Sequence, residues 1–166
     1  HLLNQEEKCT LVYTGDGGAS EGDFHEAVNT AAVWNLPVII VVENNQWGLS
    51  TPSREQFRCK SFADKGIGYG IEAHSINGNN ILEVYQTFKN LAESIRKNPR
   101  PVLVECNTFR LRAHEEASGT AYYPEGMIEE WTKQDPIANY EQFLLSEGIL
   151  NQNLIEEIKE SYKKQV

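Results

Sequence analysis

The residues able to do chemistry concentrate between Gly15 and Asn45. They are Gly15-Asp16-Gly17-Gly18-Ala19-Ser20-Glu21-Gly22 and, after a helical stretch, Val38 to Val42 followed by Glu43-Asn44-Asn45. An apolar segment, Cys9 to Tyr13, reads as a buried strand that runs into the glycine-rich turn. Glycines let a backbone approach a phosphate closely, and a helix start behind them aims free N–H groups at the anion. Asp16 and Asn45 then offer hard oxygen donors from two neighbouring strand ends. That donor set suits Mg²⁺, which takes one or two protein oxygens and fills its shell with phosphate oxygens and water. Open parallel sheets bind ligands outside the carboxyl ends of their strands, where this turn lies. The chemistry implied is a metal–diphosphate site.

Two neighbouring motifs are excluded. A nucleotide-binding P-loop needs Gly-Lys-Ser/Thr, and here Gly22 is followed by Asp23 and Phe24. The dinucleotide fingerprint reads G-x-G-x-x-G, whereas this run is G-D-G-G-A-S-E-G with an acid inside the turn. An acid in a phosphate loop repels the ligand unless a cation bridges the two, so Asp16 argues for a metal. Alone, Gly-Asp-Gly is more often a tight structural turn with a surface acid, because short motifs match by chance. The Asn44-Asn45 pair at the next strand end favours the metal.

Gly15-Asp16-Gly17, followed 29 positions after Asp16 by Asn45 of an Asn-Asn pair, resembles the thiamin diphosphate motif. More narrowly, residues 15–29, together with Leu36-Pro37, Glu43-Asn44-Asn45-Gln46-Trp47-Gly48 and Leu49-Ser50-Thr51-Pro52, resemble the alpha subunit of 2-oxo acid dehydrogenases. The Ser-Thr-Pro and Glu55-Gln56 stretch leans toward the branched-chain type over the pyruvate type. The similarity runs from Cys9 to about Leu145.

Composition sets wider bounds. At 166 residues with a net charge of −9, the chain has the size of one domain and is a poor partner for nucleic acid or an anionic membrane. Its longest apolar run, Leu36 to Val42, is too short to span a bilayer, and no targeting segment is visible. Cys9, Cys59 and Cys106 are odd in number and unpatterned, which reads as free thiols in a reducing compartment, two of them in apolar strands. A cytoplasmic, bacterial-type setting is expected.

The remaining elements must position that site. Gly22 to Trp34 is expected to be a helix with Phe24, Ala27, Val28, Ala31 and Ala32 on one face, ended by Asn35-Leu36-Pro37. Val38 to Val42 reads as a strand covered on both faces. Gln46 to about Tyr69 reads as a long polar loop. Ile71 to Ile76 is the next strand, and Asn80 with Glu83 resembles a capping box for a helix carrying Ile81, Val84, Tyr85, Phe88, Leu91, Ala92 and Ile95 on one face. Val102 to Thr108 is another buried strand. His74 reads as a structural histidine. Beyond it come a short helix from Met127 to Lys133, a helix opened by Asp135-Pro136 and stopped at Gly148, and a last one begun at Asn151 or Asn153.

A second informative stretch is Phe109-Arg110-Leu111-Arg112-Ala113-His114-Glu115-Glu116. By itself His114 is a solvated loop histidine. The stretch resembles the family's Tyr-Arg-x-x-Gly-His motif, which implies a catalytic and diphosphate-binding His114 and a loop-ordering Arg110. Ala113 replaces the motif's glycine, a change that costs about 1 kcal/mol if the position requires a positive φ. Glu115 stands where animal members carry a phosphorylated serine, so control by phosphorylation at that position is excluded.

The resemblance implies the rest. The fold is an α/β parallel sheet flanked by helices, the thiamin diphosphate-binding fold. Residues 1–124 form the diphosphate and metal module, truncated at its N-terminus, and 125–166 a helical tail packed on it. Mg²⁺ is held by Asp16, Asn45 and the Trp47 carbonyl, beneath a loop that begins at Gln46 and closes over the cofactor. Gly15, Gly17, Gly18, Leu49 and His114 join those three around thiamin diphosphate. The activity is oxidative decarboxylation of a 2-oxo acid with acyl transfer to a lipoyl group on the complex's acyltransferase. A pyrimidine-binding beta module or subunit completes the site in a two-fold oligomer, and the chain, as a piece of a longer polypeptide, is expected to be inactive alone. An acetoin dehydrogenase or transketolase-like enzyme would share Asp16 and Asn45, and a non-catalytic assembly module would carry the site as a vestige.

Overall fold

The structure, a computed structural model, describes residues 3–165; positions 1, 2 and 166, the outermost of the two expected segments, lie outside the described residues. In chain order the elements are β1 (Thr10–Gly15), a 3-10 turn (Gly18–Ser20), α1 (Gly22–Trp34), β2 (Val38–Asn44), β3 (Trp47–Gly48), β4 (Thr51–Pro52), α2 (Ser53–Gln56), α3 (Asp64–Tyr69), β5 (Glu72–Asn77), α4 (Ile81–Lys97), β6 (Val102–Asn107), α5 (Met127–Thr132), α6 (Pro136–Ser146) and α7 (Gln152–Lys163). Four strands form one parallel sheet in the order β1-β2-β6-β5, and β3 and β4 make a separate antiparallel pair.

The Val-Ile run of β2 is buried because alternate side chains enter two different cores. Ile40 and Val42 join Leu103, Phe24, Val28, Ala31 and Phe62 on one face. Ile39 and Val41 join Val102, Val104, Leu91 and Ile95 on the other. Helix α1 thus covers one face and α4 the other. The order explains this: β1 to β2 and β5 to β6 advance in opposite directions along the sheet, so crossovers of one hand must fall on opposite faces. The expected parallel sheet flanked by helices is what the chain forms.

Several local expectations hold. Helix α1 has the expected bounds, and Asn35 ends it in the left-handed conformation at φ 49°. Asn80, Asp135 and Asn151 cap α4, α6 and α7 with their side chains. His74 is structural: its Nε2 lies 2.8 Å from Glu72, which also pairs with Arg100 at 2.6 Å.

Four details differ. The first strand begins at Thr10, with Cys9 ahead of it, and it is exposed, Tyr13 by 60%. Among the described residues it is the sheet's edge, so nothing covers it as β2 is covered. Ala27 faces solvent although the α1 stripe was expected to include it. Glu83 does not close a capping box, because its carboxylate accepts from Asn77 N–H at 3.3 Å while Asn80 N–H is taken by the Asn77 carbonyl. Residues 46–69 are no open loop: they hold the β3–β4 hairpin, α2 and α3, with Phe62 fully buried against Phe57 in the α1-side core. Burying one such phenylalanine is worth about 2–3 kcal/mol, enough to hold the segment in place.

Candidate functional site

Register brings the sequence motifs to one edge. Gly15 pairs with Glu43, and Asn44 pairs with Asn107 across β2 and β6. Asp16, Asn45 and the segment from Thr108 onward therefore leave neighbouring strands at the same, carboxyl end of the sheet. The Asn44 carbonyl accepts from Thr108 N–H at 3.0 Å, extending that alignment one residue past the ladder.

Asp16 is 1% exposed. Its Oδ2 accepts from Ser53 Oγ at 2.6 Å, and Oδ1 receives no hydrogen bond among the described residues. Asn45 Oδ1 accepts from Trp47 N–H at 3.0 Å, forming a tight turn that carries the chain from β2 into the hairpin. A carboxamide oxygen has two lone pairs, so one remains for a cation. Trp47 is buried against Tyr122 and Tyr123, its ring centroid 5.6 and 5.2 Å from theirs. That anchors the residue while leaving its carbonyl a separate role. Among the described residues no three His, Cys, Asp or Glu side chains gather as a metal cluster. A cation here would rely on one carboxylate, one carboxamide and a carbonyl.

Beside these oxygens Gly17 and Gly18 are tightly packed, whereas a Cβ on Gly15 would meet nothing within 4 Å. A Cβ on Gly17 would stand 3.2 Å from the Gly48 Cα, and one on Gly18 would stand 2.4 Å from Thr14 Oγ1. The turn after β1 and the hairpin after β2 thus meet backbone to backbone. Gln56 braces the contact, taking Ser20 Oγ at 3.2 Å and donating to the Thr51 carbonyl at 3.0 Å.

The 109–123 segment is tied to this edge through Arg110. Its Nη2 donates to the Leu49 carbonyl at 2.9 Å and to Tyr122 Oη at 2.9 Å, while its own carbonyl accepts from Tyr123 at 3.1 Å. Burial pushes the Tyr123 phenol up to about 12, with the Tyr122 hydrogen bond adding to it, so Tyr123 stays a donor. Phe109 stacks on Trp131 at 5.3 Å and fastens the segment to α5. Arg110 Nη1 also lies 3.3 Å from His114 Nδ1. A guanidinium only donates, so Nδ1 accepts and the ring proton sits on Nε2. His114 is exposed, at the rim. Ala113 is not among the described positive-φ residues (Gln5, Asn35, Gln46 and Leu49), so its methyl group costs no backbone strain.

Sequence reasoning missed Ser53, Gln56, Glu105 and Ser61. Glu105 is 2% exposed, accepts from Asn44 Nδ2 at 2.7 Å and bonds Ser61 Oγ. One signal pointed to it: a lone acid inside the apolar run Val102 to Cys106 needs partners. Nothing local singles out Ser53.

Comparison with known proteins adds an independent line. Residues 2–166 match the family described as the dehydrogenase E1 component. The chain is 38% identical over 154 residues to a 3-methyl-2-oxobutanoate dehydrogenase subunit alpha of Mycobacterium tuberculosis, covering 92% of this chain and 42% of that protein. It is 36% identical over 161 residues to a 2-oxoisovalerate dehydrogenase subunit alpha of Bacillus subtilis, covering 94% and 49%. Against a pyruvate dehydrogenase E1 component subunit alpha of Staphylococcus aureus it is 35% identical over 158 residues, covering 94% and 43%. The chain thus spans about half the length of the relatives it matches or less.

Proposed function

The chain belongs to the dehydrogenase E1 component family, and from that premise we propose that it holds the magnesium–diphosphate end of thiamin diphosphate in a 2-oxo acid dehydrogenase. The observation that carries this is the buried Asp16 carboxylate, with one oxygen unbonded, set between the glycine turn after β1 and the Asn45 turn. Asp16 Oδ1, the Asn45 carboxamide oxygen and the Trp47 carbonyl would hold Mg²⁺. Gly15 leaves the backbone open to a diphosphate, and Gly17 and Gly18 let the turn pack closely against Gly48 and Thr14. Leu49, in the left-handed region at φ 59° and 59% exposed on the hairpin, would contact the cofactor from that side. When bound, the cofactor supplies a carbon nucleophile and an electron sink for decarboxylation.

This chain's own residues bind and orient. Arg110 fixes the His114 tautomer, so His114 presents Nε2–H to a phosphate oxygen or to a reacting group at the rim. The substrate is a 2-oxo acid of the branched-chain type, in keeping with the names of two relatives. A beta module contributes the pyrimidine side, and a lipoyl-bearing acyltransferase takes the acyl group. No helix among the described residues is long and apolar enough to cross a membrane, and the proposed setting is cytoplasmic.

The test is calorimetric titration of thiamin diphosphate, with and without Mg²⁺, into the complete protein assembled with its beta partner, as wild type and Asp16→Ala. Metal-dependent binding that disappears in the variant supports the assignment. Equal binding by both proteins would sink it.

A further inference from the structure

We propose that Ser53 is a positioning residue of the metal site: it reserves a single Asp16 oxygen for the cation and thereby favours Mg²⁺ over Ca²⁺. The inference rests on the reading of Asp16 as a metal ligand. Ser53 Oγ donates to Asp16 Oδ2 at 2.6 Å, and the two residues are 7% and 1% exposed. A short hydrogen bond to an ionised acceptor, shielded from water, is among the stronger kinds. It holds the carboxylate in one orientation and leaves Oδ1 for the metal.

Ser53 also reaches the other side of the site. Its N–H donates to the Gln46 carbonyl at 2.8 Å, between Asn45 and Trp47. The hairpin brings it there: Trp47 pairs with Pro52, so the chain folds straight back and α2 begins at Ser53. One residue joins the two loops whose donors must converge on a cation.

Selectivity follows from denticity. Mg²⁺ binds single oxygens in a tight octahedron, whereas Ca²⁺ is larger and readily takes both oxygens of a carboxylate. A Ca²⁺ ion seeking both Asp16 oxygens would compete with the Ser53 hydroxyl and leave it buried without a partner, which is unfavourable. Mg²⁺ asks for no such rearrangement.

The test titrates MgCl₂ and, separately, CaCl₂ into the complete apoprotein assembled with its partner and saturated with thiamin diphosphate, reading metal affinity by calorimetry. The proteins are wild type, Ser53→Ala, Ser53→Thr and Asp16→Asn. In Ser53→Ala we expect Mg²⁺ affinity to fall about ten- to a hundredfold, the range for lost partners of metal ligands, with a smaller fall for Ca²⁺. Ser53→Thr restores both affinities. A purely structural serine would lower both metals alike, so an unchanged Mg²⁺/Ca²⁺ ratio in Ser53→Ala overturns the proposal. Metal binding that survives in Asp16→Asn overturns instead the reading of Asp16 on which it rests. If Ser53→Ala does not fold, Ser53→Cys keeps the volume with a weak donor: a narrowed ratio supports the role and an unchanged one overturns it.

Discussion

Asn44 Nδ2 donates to Glu105 Oε1 at 2.7 Å across 61 residues of chain, and both side chains are buried. Asn44 in turn accepts from Gln46 N–H at 2.9 Å, so the carboxylate on β6 fixes the turn that carries Asn45. Ser61 Oγ supplies the second contact to Glu105. Replacing Glu105 by Ala strands the buried Asn44 amide and the half-buried Ser61 hydroxyl, the first at the full cost of desolvation. The expected loss is about 2–4 kcal/mol of stability, measured by denaturant unfolding. Glu105→Gln should lose less, since its amide keeps one acceptor oxygen.

Gly17 has ordinary helical angles, φ −61° and ψ −48°, so its requirement is space rather than conformation. A methyl group there meets the Gly48 backbone at 3.2 Å, and backbone yields less readily than a side-chain tip. Gly17→Ala should push the hairpin from the turn and weaken Mg²⁺-dependent cofactor binding by about tenfold, as when a metal ligand is misplaced. Gly68→Ala, on α3 with nothing within 4 Å, is the control. It should leave binding alone and raise stability by about 0.5–1 kcal/mol.

Leu49 sets stability against function. Its φ of 59° is a conformation glycine adopts freely, and its side chain is 59% exposed, so little packing is at stake. Leu49→Gly should stabilise the apoprotein by roughly 0.5–1 kcal/mol through relief of strain. Cofactor affinity should fall in the same variant. Thermal unfolding and cofactor titration on one preparation check both halves.

The Glu72 carboxyl is lowered overall: burial raises it, and the hydrogen bonds from His74 and Arg100 more than offset that. A lowered carboxyl stabilises the fold above its unfolded value, near 4.5, and the contribution is lost as pH falls through the folded value. Glu72→Gln should therefore be less stable than wild type at pH 7 and equal to it in acid. With the carboxylate 35% exposed, screening keeps the difference small. Unfolding midpoints across the acid range provide the check.

What sequence alone determined is whatever rests on neighbours in the chain. The bounds of α1, the caps at Asn80, Asp135 and Asn151, and the doubly covered β2 follow from periodicity and from side chains bonding backbone two or three residues away. The Gly15–Asp16–Gly17 and Asn44–Asn45 pattern could be read because each half is a local turn, and parallel pairing then brings the halves to one sheet edge. Tertiary structure decided the rest. Ser53 reaches Asp16 across 37 residues and Glu105 reaches Ser61 across 44, contacts set only once distant segments pack. The same packing left β1 exposed at the edge and drew Phe57, Phe62 and Tyr69 into the core. A buried polar group takes its partner from whatever the fold places within about 3 Å, and that neighbour is not written beside it in the chain.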